Sequence, residues 1–293
     1  MSLEPLISVL MNCRNEEKLI SKSIKSVLDQ SYKNIELIVW DDASTDNTIS
    51  IIKSFDDQRI KLFKNKTHLG LGPSRCKAID ELKGDFIAIL DADDEMTNNR
   101  IEKQVKEFLK NSNLGLLGSW VKFKDVNGKT IKKSSINKVF NNSKNNKQIK
   151  EKMLYKNIFA NSSLMYRKDS ALNVGWYSNE LEYAQDYDLS LKIINLYDCK
   201  ILKEFLTFIT IRKDSMTQSN DLKEIRINEQ IKILEKCKLE FKIDEKSAFI
   251  ISREIAFNKL KLDLLTDLYL ITKLFLILKT VWKYPTLIIS RLF

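Results

Sequence analysis

Ile87-Ala88-Ile89-Leu90-Asp91-Ala92-Asp93-Asp94 sets four apolar residues directly before three carboxylates. The apolar half has the texture of a strand buried on both faces. Burying several carboxylates without partners would be prohibitively costly, so the acidic half is expected at the strand's exit, in water or on a cation. In open α/β sheets ligands gather at the carboxyl ends of the strands. Asp91 and Asp93 are therefore expected to hold a divalent metal, and the metal a phosphorylated substrate.

The residues upstream repeat the pattern. Leu6–Met11, Ile35–Trp40 and Ile60–Phe63 read as further strands, and Phe86–Leu90 is the one that delivers the carboxylates. Between the first two lies a helical period, with Leu19, Ile20, Ile24, Val27 and Leu28 on one face. Asn15 is placed to cap that helix, and Glu16 and Glu17 suit its positive first turn. Ser44, Thr45 and Asp46 offer a cap for a second helix through Ile51, Ile52 and Phe55. A third helix is expected to start at Pro73, carry Arg75, Ile79 and Leu82, and stop at Gly84. The order β-α-β-α-β-α-β predicts a parallel sheet with crossover helices. Its polar loops leave one sheet edge, so Asn12, Arg14, Asp42 and Asp93 should converge on one crevice. No Gly-rich dinucleotide fingerprint follows the first strand, and there is no G-x-x-x-x-G-K-[ST]. A metal on paired carboxylates remains as the device for holding phosphates.

The chain has 293 residues, enough for one large α/β domain or one domain plus an appendage. It is 43% hydrophobic and 30% charged, which suits a folded protein with a real core. Lys+Arg 49 against Asp+Glu 39 gives a charge of +10, open to nucleic acid, anionic lipid or phosphorylated small molecules. Cys13, Cys76, Cys199 and Cys237 are scattered, which argues against a zinc site or a disulfide framework and fits a reducing compartment. Met1-Ser2-Leu3-Glu4-Pro5 shows neither a basic nor an apolar leader region, so no secretory signal is expected there. His68 is the sole histidine, which nearly excludes a His base, a His triad or a multi-His metal site.

The ordered set of a strand followed by N-x-x-N-E, Asp41-Asp42-Ala43-Ser44-Thr45-Asp46, Gly70 with Arg75, and Leu90-Asp91-Ala92-Asp93-Asp94 resembles the family-2 glycosyltransferases of GT-A fold. The resemblance runs from about Ile7 to Arg100, with weaker signs to about Gln218. It implies that Asp42 accepts from the nucleotide base, that Arg75 assists at the base or diphosphate, and that Glu16 contacts the nucleotide. It also implies that Asp91 and Asp93 form the family's D-x-D, with Asp93 the more direct metal ligand and Asp94 a helper or cap. Arg14 departs from the family's usual Tyr; a guanidinium can also stack on a flat ring, and the identity of the base is left open. Plainer alternatives exist throughout. Asp42 could be a loop or cap residue, Arg75 a solvated first-turn residue, Asp91 and Asp93 a helix N-cap cluster, and His68 a plain loop residue.

In the second half, Arg100–Leu109 reads as an amphipathic helix and Leu114–Phe123 as a strand. Asp125-Val126-Asn127-Gly128-Lys129 reads as a hairpin turn. Lys132 to Lys152 is rich in Lys, Asn and Ser and reads as a lid or a solvated excursion. Ile158–Arg167 resembles the family's acceptor-side strand, and Gly175-Trp176-Tyr177 its Gly-aromatic turn. Trp176 and Tyr177 could stack on a sugar or sit in the core. Where the family has Glu-Asp, this chain has Gln185-Asp186, and the resemblance makes Asp186 the general base. The chemistry requires one, because a sugar hydroxyl is a poor nucleophile until a carboxylate takes its proton. Asp186 as a mere N-cap is the alternative, and Asp188 competes for the role. Ile211-Arg212-Lys213-Asp214-Ser215-Met216-Thr217 resembles R-x-H-x-x-S, with Asp214 at the His position.

Beyond Asn220 the texture becomes helical, with Leu222–Phe241 and Ala248–Leu265 mixed in charge. From Leu264 apolar residues dominate, while Thr266, Lys273 and Thr280 mark one polar stripe. The run Leu274–Leu278 is far short of the ~20 residues that span a bilayer, and Lys279, Lys283, Pro285 and Arg291 interrupt the rest. This reads as an interfacial helix with Trp282 and Tyr284 as anchors, or as a helix packed on the catalytic domain or on a second subunit.

The expected fold is thus α/β, a GT-A-like, mixed and mainly parallel sheet flanked by helices, with a helical C-terminal appendage. Residues 1–220 would form the catalytic domain, with a nucleotide-binding half at 1–110 and an acceptor half at 111–220, and residues 221–293 the amphipathic region. The expected activity is metal-dependent, inverting transfer of a sugar from a nucleotide-diphosphate donor to a glycan or lipid-linked acceptor, with manganese or magnesium. Its expected place is cytoplasmic, peripheral on the inner face of the cell membrane. A nucleotidyltransferase would normally show a Gly-rich basic loop after the first strand, and Asn12–Glu17 has no glycine. A nucleic-acid-binding protein is disfavoured because Lys and Arg are dispersed and the most ordered site is acidic.

Overall fold

The computed structural model describes residues 4–131, 145–212, 222–265 and 278–279. Strands β1 (Ile7–Cys13), β2 (Ile35–Asp41), β3 (Ile60–Lys64) and β4 (Phe86–Ile89) run parallel in the order β3-β2-β1-β4. Helices α1 (Ile20–Leu28), α2 (Thr48–Lys53) and α3 (Leu71–Ala78) make the crossovers, α3 running on as a short 3-10 turn over Ile79–Glu81. The sheet then continues with β8 (Met165–Arg167), β6 (Leu114–Lys124), β9 (Asp198–Thr210) and β5 (Glu95–Met96). β8 is antiparallel to both β4 and β6, β9 is parallel to β6, and β5 is antiparallel to β9. β7 (Thr130–Ile131) pairs back onto β6 through the turn predicted at Asp125–Lys129, where Gly128 takes a left-handed φ of 86°. The remaining helices of the sheet unit are α4 (Arg100–Lys110), α5 (Asn146–Met153), α6 (Lys168–Asn173) and α7 (Gln185–Leu196).

The core forms where the sequence is apolar without alternation. β2 and β4 are buried along their whole length, and α1 and α4 close over the sheet with Ile20, Ile24, Val27, Ile101, Val105 and Phe108. Each such side chain contributes roughly 1.5–3 kcal/mol on burial, which fixes the strand register and with it the positions of the loops at the sheet's exit edge.

Several local expectations are corrected. Asn15 does not cap α1, which begins at Ile20. It takes a left-handed φ of 55°, and its Oδ1 accepts from the Thr45 amide at 2.8 Å. Glu17 consequently lies outside the first turn and accepts from Asn47. Helix α2 starts at Thr48 and ends before Phe55, and of the proposed caps only Asp46 serves its start, accepting from the Thr48 amide at 2.9 Å. Helix α3 starts two residues before Pro73 and ends well before Gly84. The strand expected over Ile158–Arg167 is confined to β8, because Asn161–Ser163 turn into a 3-10 helix that aims the Asn161 and Ser162 side chains at the acidic loop.

The chain divides into two compact units, Met1–Lys150 with Asn157–Arg212, and Glu151–Lys156 with Lys213–Phe293. In the second, α8 (Lys223–Glu240) packs on α9 (Glu245–Leu265), with Lys259 paired to Glu235 and Lys238 bonded to Ser252. Most of the Lys/Asn-rich stretch, the segment around Asp214, and the Thr266–Arg291 reading apart from residues 278–279 lie outside the described residues. Among the described residues no helix is long and apolar enough to cross a membrane.

Candidate active site

The exit edge of the parallel strands carries the acidic loop, as its sequence predicts. Asp91 accepts from Asn161 Nδ2 at 2.8 Å and from Arg75 Nη2 at 3.3 Å on Oδ1, and from Ser162 Oγ at 3.0 Å on Oδ2. Asp94 is buried, lies 2.5 Å from Ser162 Oγ and accepts from the Thr210 amide at 2.8 Å. β5 and β9 hold the far side of the loop, with Thr97 N donating to Leu206 O and Thr210 Oγ1 donating to Asp93 O. The Asp93 carboxylate faces Arg212, whose Nε lies 3.3 Å from Oδ2. Burial, then Asp91, and then Glu16 push the Asp93 carboxyl up to about 7 against the pull of Arg212. Burial and the charges of Asp93 and Asp91 push Asp94 up as well.

Whether these residues suit a metal can be judged from the charges. Among the described residues no cluster of three or more His, Cys, Asp or Glu forms a cage. What exists is a pair of carboxylates, Asp91 and Asp93, crowded by a third at Glu16 and facing the guanidinium of Arg212. An under-neutralised, all-oxygen pair that already draws in a cation fits a hard divalent ion completed by substrate oxygens.

Asp186 opens α7 and accepts from Asn157 Nδ2 at 2.9 Å. Burial raises its pKa, Arg75 opposes that rise, and Asp91 adds to it. Arg75 is the link between the two halves of the site. It is buried within α3, bonds Asp91, and donates from Nη1 to Gln185 Oε1 at 3.1 Å. Its guanidinium lies over the Tyr177 ring, 5.2 Å from the centroid, and Trp176 Nε1 donates to its backbone oxygen at 3.0 Å. It is not a solvated helix residue.

The other candidates fare differently. Asn12 stands at the end of β1 with a buried Nδ2 that has no partner among the described residues, and Arg14 is exposed beside it. Glu16 is taken by Arg212, which donates to it from both Nη atoms. Asp42 is likewise occupied. Its oxygens accept from Asn65 Nδ2 at 2.8 Å, Leu69 N at 2.9 Å and Gly70 N at 2.8 Å, and lie 2.7 Å from His68 Nδ1. Burial works to raise the Asp42 pKa, but these donors outweigh it and hold the carboxyl below its ordinary range. In this structure Asp42 orders the 65–70 loop rather than offering a free acceptor, and His68 is part of that lock and not a plain loop residue. Trp176 and Tyr177 are buried behind Arg75 and present no free face for a sugar. Asp188, the competitor for the base, is buried and paired with Lys192 at 2.5 Å one turn along α7.

Sequence reasoning overlooked four residues that build the site: Arg100, Asn161, Ser162 and Arg212. Arg100 is fully buried and donates to the backbone oxygens of Ile89, Leu164 and Ser162 and to Gln104 Oε1. It thereby ties the end of β4 to the 3-10 turn that holds Asp91 and Asp94. Burial pushes its pKa down to about 9, and the Asp94 charge opposes this. A signal existed: a cation in the first turn of a helix opposes the macrodipole and calls for a reason.

A family model described as "Glycosyl transferase family 2" matches residues 8–175. An uncharacterised glycosyltransferase of Methanocaldococcus jannaschii is 38% identical over 208 residues, covering 69% of this chain and 70% of that protein. The UDP-Glc:alpha-D-GlcNAc-diphosphoundecaprenol beta-1,3-glucosyltransferase WfgD of Escherichia coli is 43% identical over 115 residues, 39% of this chain and 46% of its own length. Among solved structures, the mannosyltransferase PcManGT of Pyrobaculum calidifontis, in complex with GDP-Man and Mn2+, superposes with a TM-score of 0.69 at 18% identity. That match covers 89% of this chain and 73% of the other, and it shows a shared fold.

Proposed function

The chain belongs to glycosyl transferase family 2, and from that premise we propose that it moves a sugar from a nucleotide-diphosphate donor to an acceptor hydroxyl, with inversion, in the synthesis of a cell-surface or lipid-linked glycan. The relative WfgD is named for a lipid-diphosphate-linked acceptor, which supports that acceptor class. The observation that carries the reading is the junction at Arg75. One buried guanidinium contacts Asp91 of the acidic loop and stands beside Asp186, so that donor-side and acceptor-side carboxylates belong to one site.

In this reading Asp93 and Asp91 would hold a manganese or magnesium ion, which when bound supplies positive charge opposite the departing diphosphate. PcManGT, in complex with Mn2+, supports that choice of ion. Asp186 takes the proton from the acceptor hydroxyl as it attacks the anomeric carbon from the face opposite the leaving diphosphate. Asn157 orients the carboxylate, and the burial of Asp186 keeps its proton affinity high enough for it to act as a base. Asn12 would offer its buried amide, unpartnered among the described residues, to the donor, and Arg14, exposed beside it, would stack on the base. We assign Asp42 to holding the 65–70 wall of the pocket.

The test is thermal stabilisation against a panel of sugar nucleotides, each with and without manganese or magnesium. A ligand at 100 times its dissociation constant should stabilise by about 2.7 kcal/mol. Asp93→Ala and Asp186→Asn should then nearly abolish transfer of the selected sugar while the fold persists. Unchanged turnover in both would sink the assignment.

We extend the proposal to the chain's organisation, with residues 1–220 as the catalytic domain and 221–293 as the part that meets the inner membrane face or a second subunit. Flotation of the full chain with anionic vesicles tests the membrane alternative, and sedimentation tests the other.

A further inference from the structure

Gln185 stands immediately before the proposed base and is fully buried at the start of α7. Its amide is oriented without ambiguity. Nε2 donates to the backbone oxygen of Glu182, which leaves Oε1 to accept from Arg75 Nη1 at 3.1 Å. A carboxylate in that place would set an oxygen against the Glu182 carbonyl, which can only accept. The amide also brings no charge. Arg75 is therefore clamped by hydrogen bonding and by the Tyr177 ring, 5.2 Å away, while Gln185 adds no negative charge to those of Asp91 and Asp186. The ion pair of Arg75 with Asp91 is a long contact of 3.3 Å, and its buried Nε has no acceptor among the described residues.

We propose that Gln185 is a positioning residue that anchors the Arg75 guanidinium between Asp91 and Asp186 without itself neutralising the charge that Asp186 feels. The inference rests on Asp186 being the base, as proposed above. The groups that face Asp186 are few. Arg75 comes from α3, Asp91 from the β4 exit, Tyr166 from β8, Tyr177 from the turn after α6, the Tyr187 backbone amide from α7 itself, and the Asn157 amide from the segment before the 3-10 turn. Arg75 is the only cation among them, and Asp91 works against it. Halving the effect of that cation should be felt directly at the carboxylate, since an opposite charge a few ångströms away moves an aspartate by about 1–3 pH units.

The experiment needs no substrate, so its outcome is separable from that of the donor panel. The side-chain carboxyl carbons of aspartate are labelled with carbon-13 in the full chain, and the Asp186 resonance is identified as the one missing from Asp186→Asn. Its titration midpoint is followed in wild type, Gln185→Glu and Gln185→Met. Gln185→Glu adds a carboxylate to Arg75 and should raise the midpoint by about one pH unit. Gln185→Met keeps the volume but removes the acceptor that anchors Arg75, adds no charge, and should raise the midpoint by clearly less than Gln185→Glu does. An unchanged midpoint in Gln185→Glu, or an equal shift in both variants, overturns the proposal, the second because it would trace the effect to packing. Should Gln185→Glu not fold, Arg75→Gln removes the same charge from the other side. It must move the midpoint upward, and its failure to do so is equally fatal.

Discussion

Gly72→Ala is the substitution that most directly asks whether the spacing of α3 from α7 matters to chemistry. Gly72 sits on α3 one turn before Arg75, on the side that faces Leu181 and Gln185. A Cβ there would lie 2.2 Å from the Leu181 carbonyl oxygen and 3.3 Å from Gln185 Nε2. Restoring an ordinary 3.4 Å contact requires the helix and the Leu181 backbone to part by about 1.2 Å, the difference between the two distances. The nearer neighbour is backbone and the Gln185 amide is held by the Glu182 oxygen, so the movement passes to Arg75 and Gln185. Overpacking of this kind costs about 1–3 kcal/mol, or roughly 2–12 °C of melting temperature for a domain of this size. A displacement of about 1 Å within a reacting constellation costs about a hundredfold in rate. Activity should thus fall by about two orders of magnitude in protein that is still folded, measured as kcat/KM with the donor chosen by the panel and corrected for folded fraction by circular dichroism. Gly84→Ala is the control. Its Cβ would meet Ser8 N at 2.5 Å and Leu6 O at 2.7 Å, at the opposite end of the sheet, so it should lower stability and spare the activity of the folded fraction. Equal losses of kcat/KM in the two variants, or a fully active Gly72→Ala, would refute the reasoning.

Two further outcomes follow from the buried charges. Asp93 in the folded chain has its carboxyl pushed up to about 7 from an ordinary 3.8, so the fold holds a proton there that the unfolded chain releases. Stability from this group is complete below about pH 4 and is lost as pH rises through 7. Asp93→Asn should therefore stabilise the metal-free protein at pH 8 by no more than about 4 kcal/mol, with little effect at pH 4, as measured by urea unfolding in chelator. An equal gain at both pH values would remove the electrostatic explanation. Arg100→Met should destabilise by about 3–5 kcal/mol, because it leaves the Ile89, Leu164 and Ser162 oxygens without their donor and the Asp94 charge unopposed. A change below about 1 kcal/mol in the denaturant midpoint analysis would show that water replaces the guanidinium.

The fold was legible where burial is two-sided and local. β1, β2 and β4 are mainly apolar runs with polar residues confined to the first two or last two positions, and that pattern admits little besides a covered parallel sheet. It faded where an element is short or serves the site. β5 has two residues and no period to read, and it exists because β9 reaches across to Glu95 and Met96. Asn161-Ser162-Ser163 passed for strand because its neighbours are apolar, yet the Asn161 and Ser162 side chains are spent on Asp91 and Asp94 and the backbone turns to deliver them. Asn15 has the composition of a cap, but the same short amide also tolerates a left-handed backbone, and the Thr45 amide decided which use it found.

The candidate site shows the same division for a deeper reason. The acidic residues announce themselves in the sequence because carboxylates after a buried strand have nowhere else to go. What each carboxylate touches is decided by residues far along the chain. Arg212 reaches Glu16 and Asp93, Arg75 reaches Asp91, and the 65–70 loop closes on Asp42. Those partners change what the residues are available to do. Asp42 and Glu16 are engaged by protein donors and Asp188 by Lys192, while Asp186 is met by the Asn157 side chain and the Tyr187 backbone amide, with the charge of Arg75 nearby. Availability to remove a proton is thus a property of the pairing, and the pairing belongs to the fold.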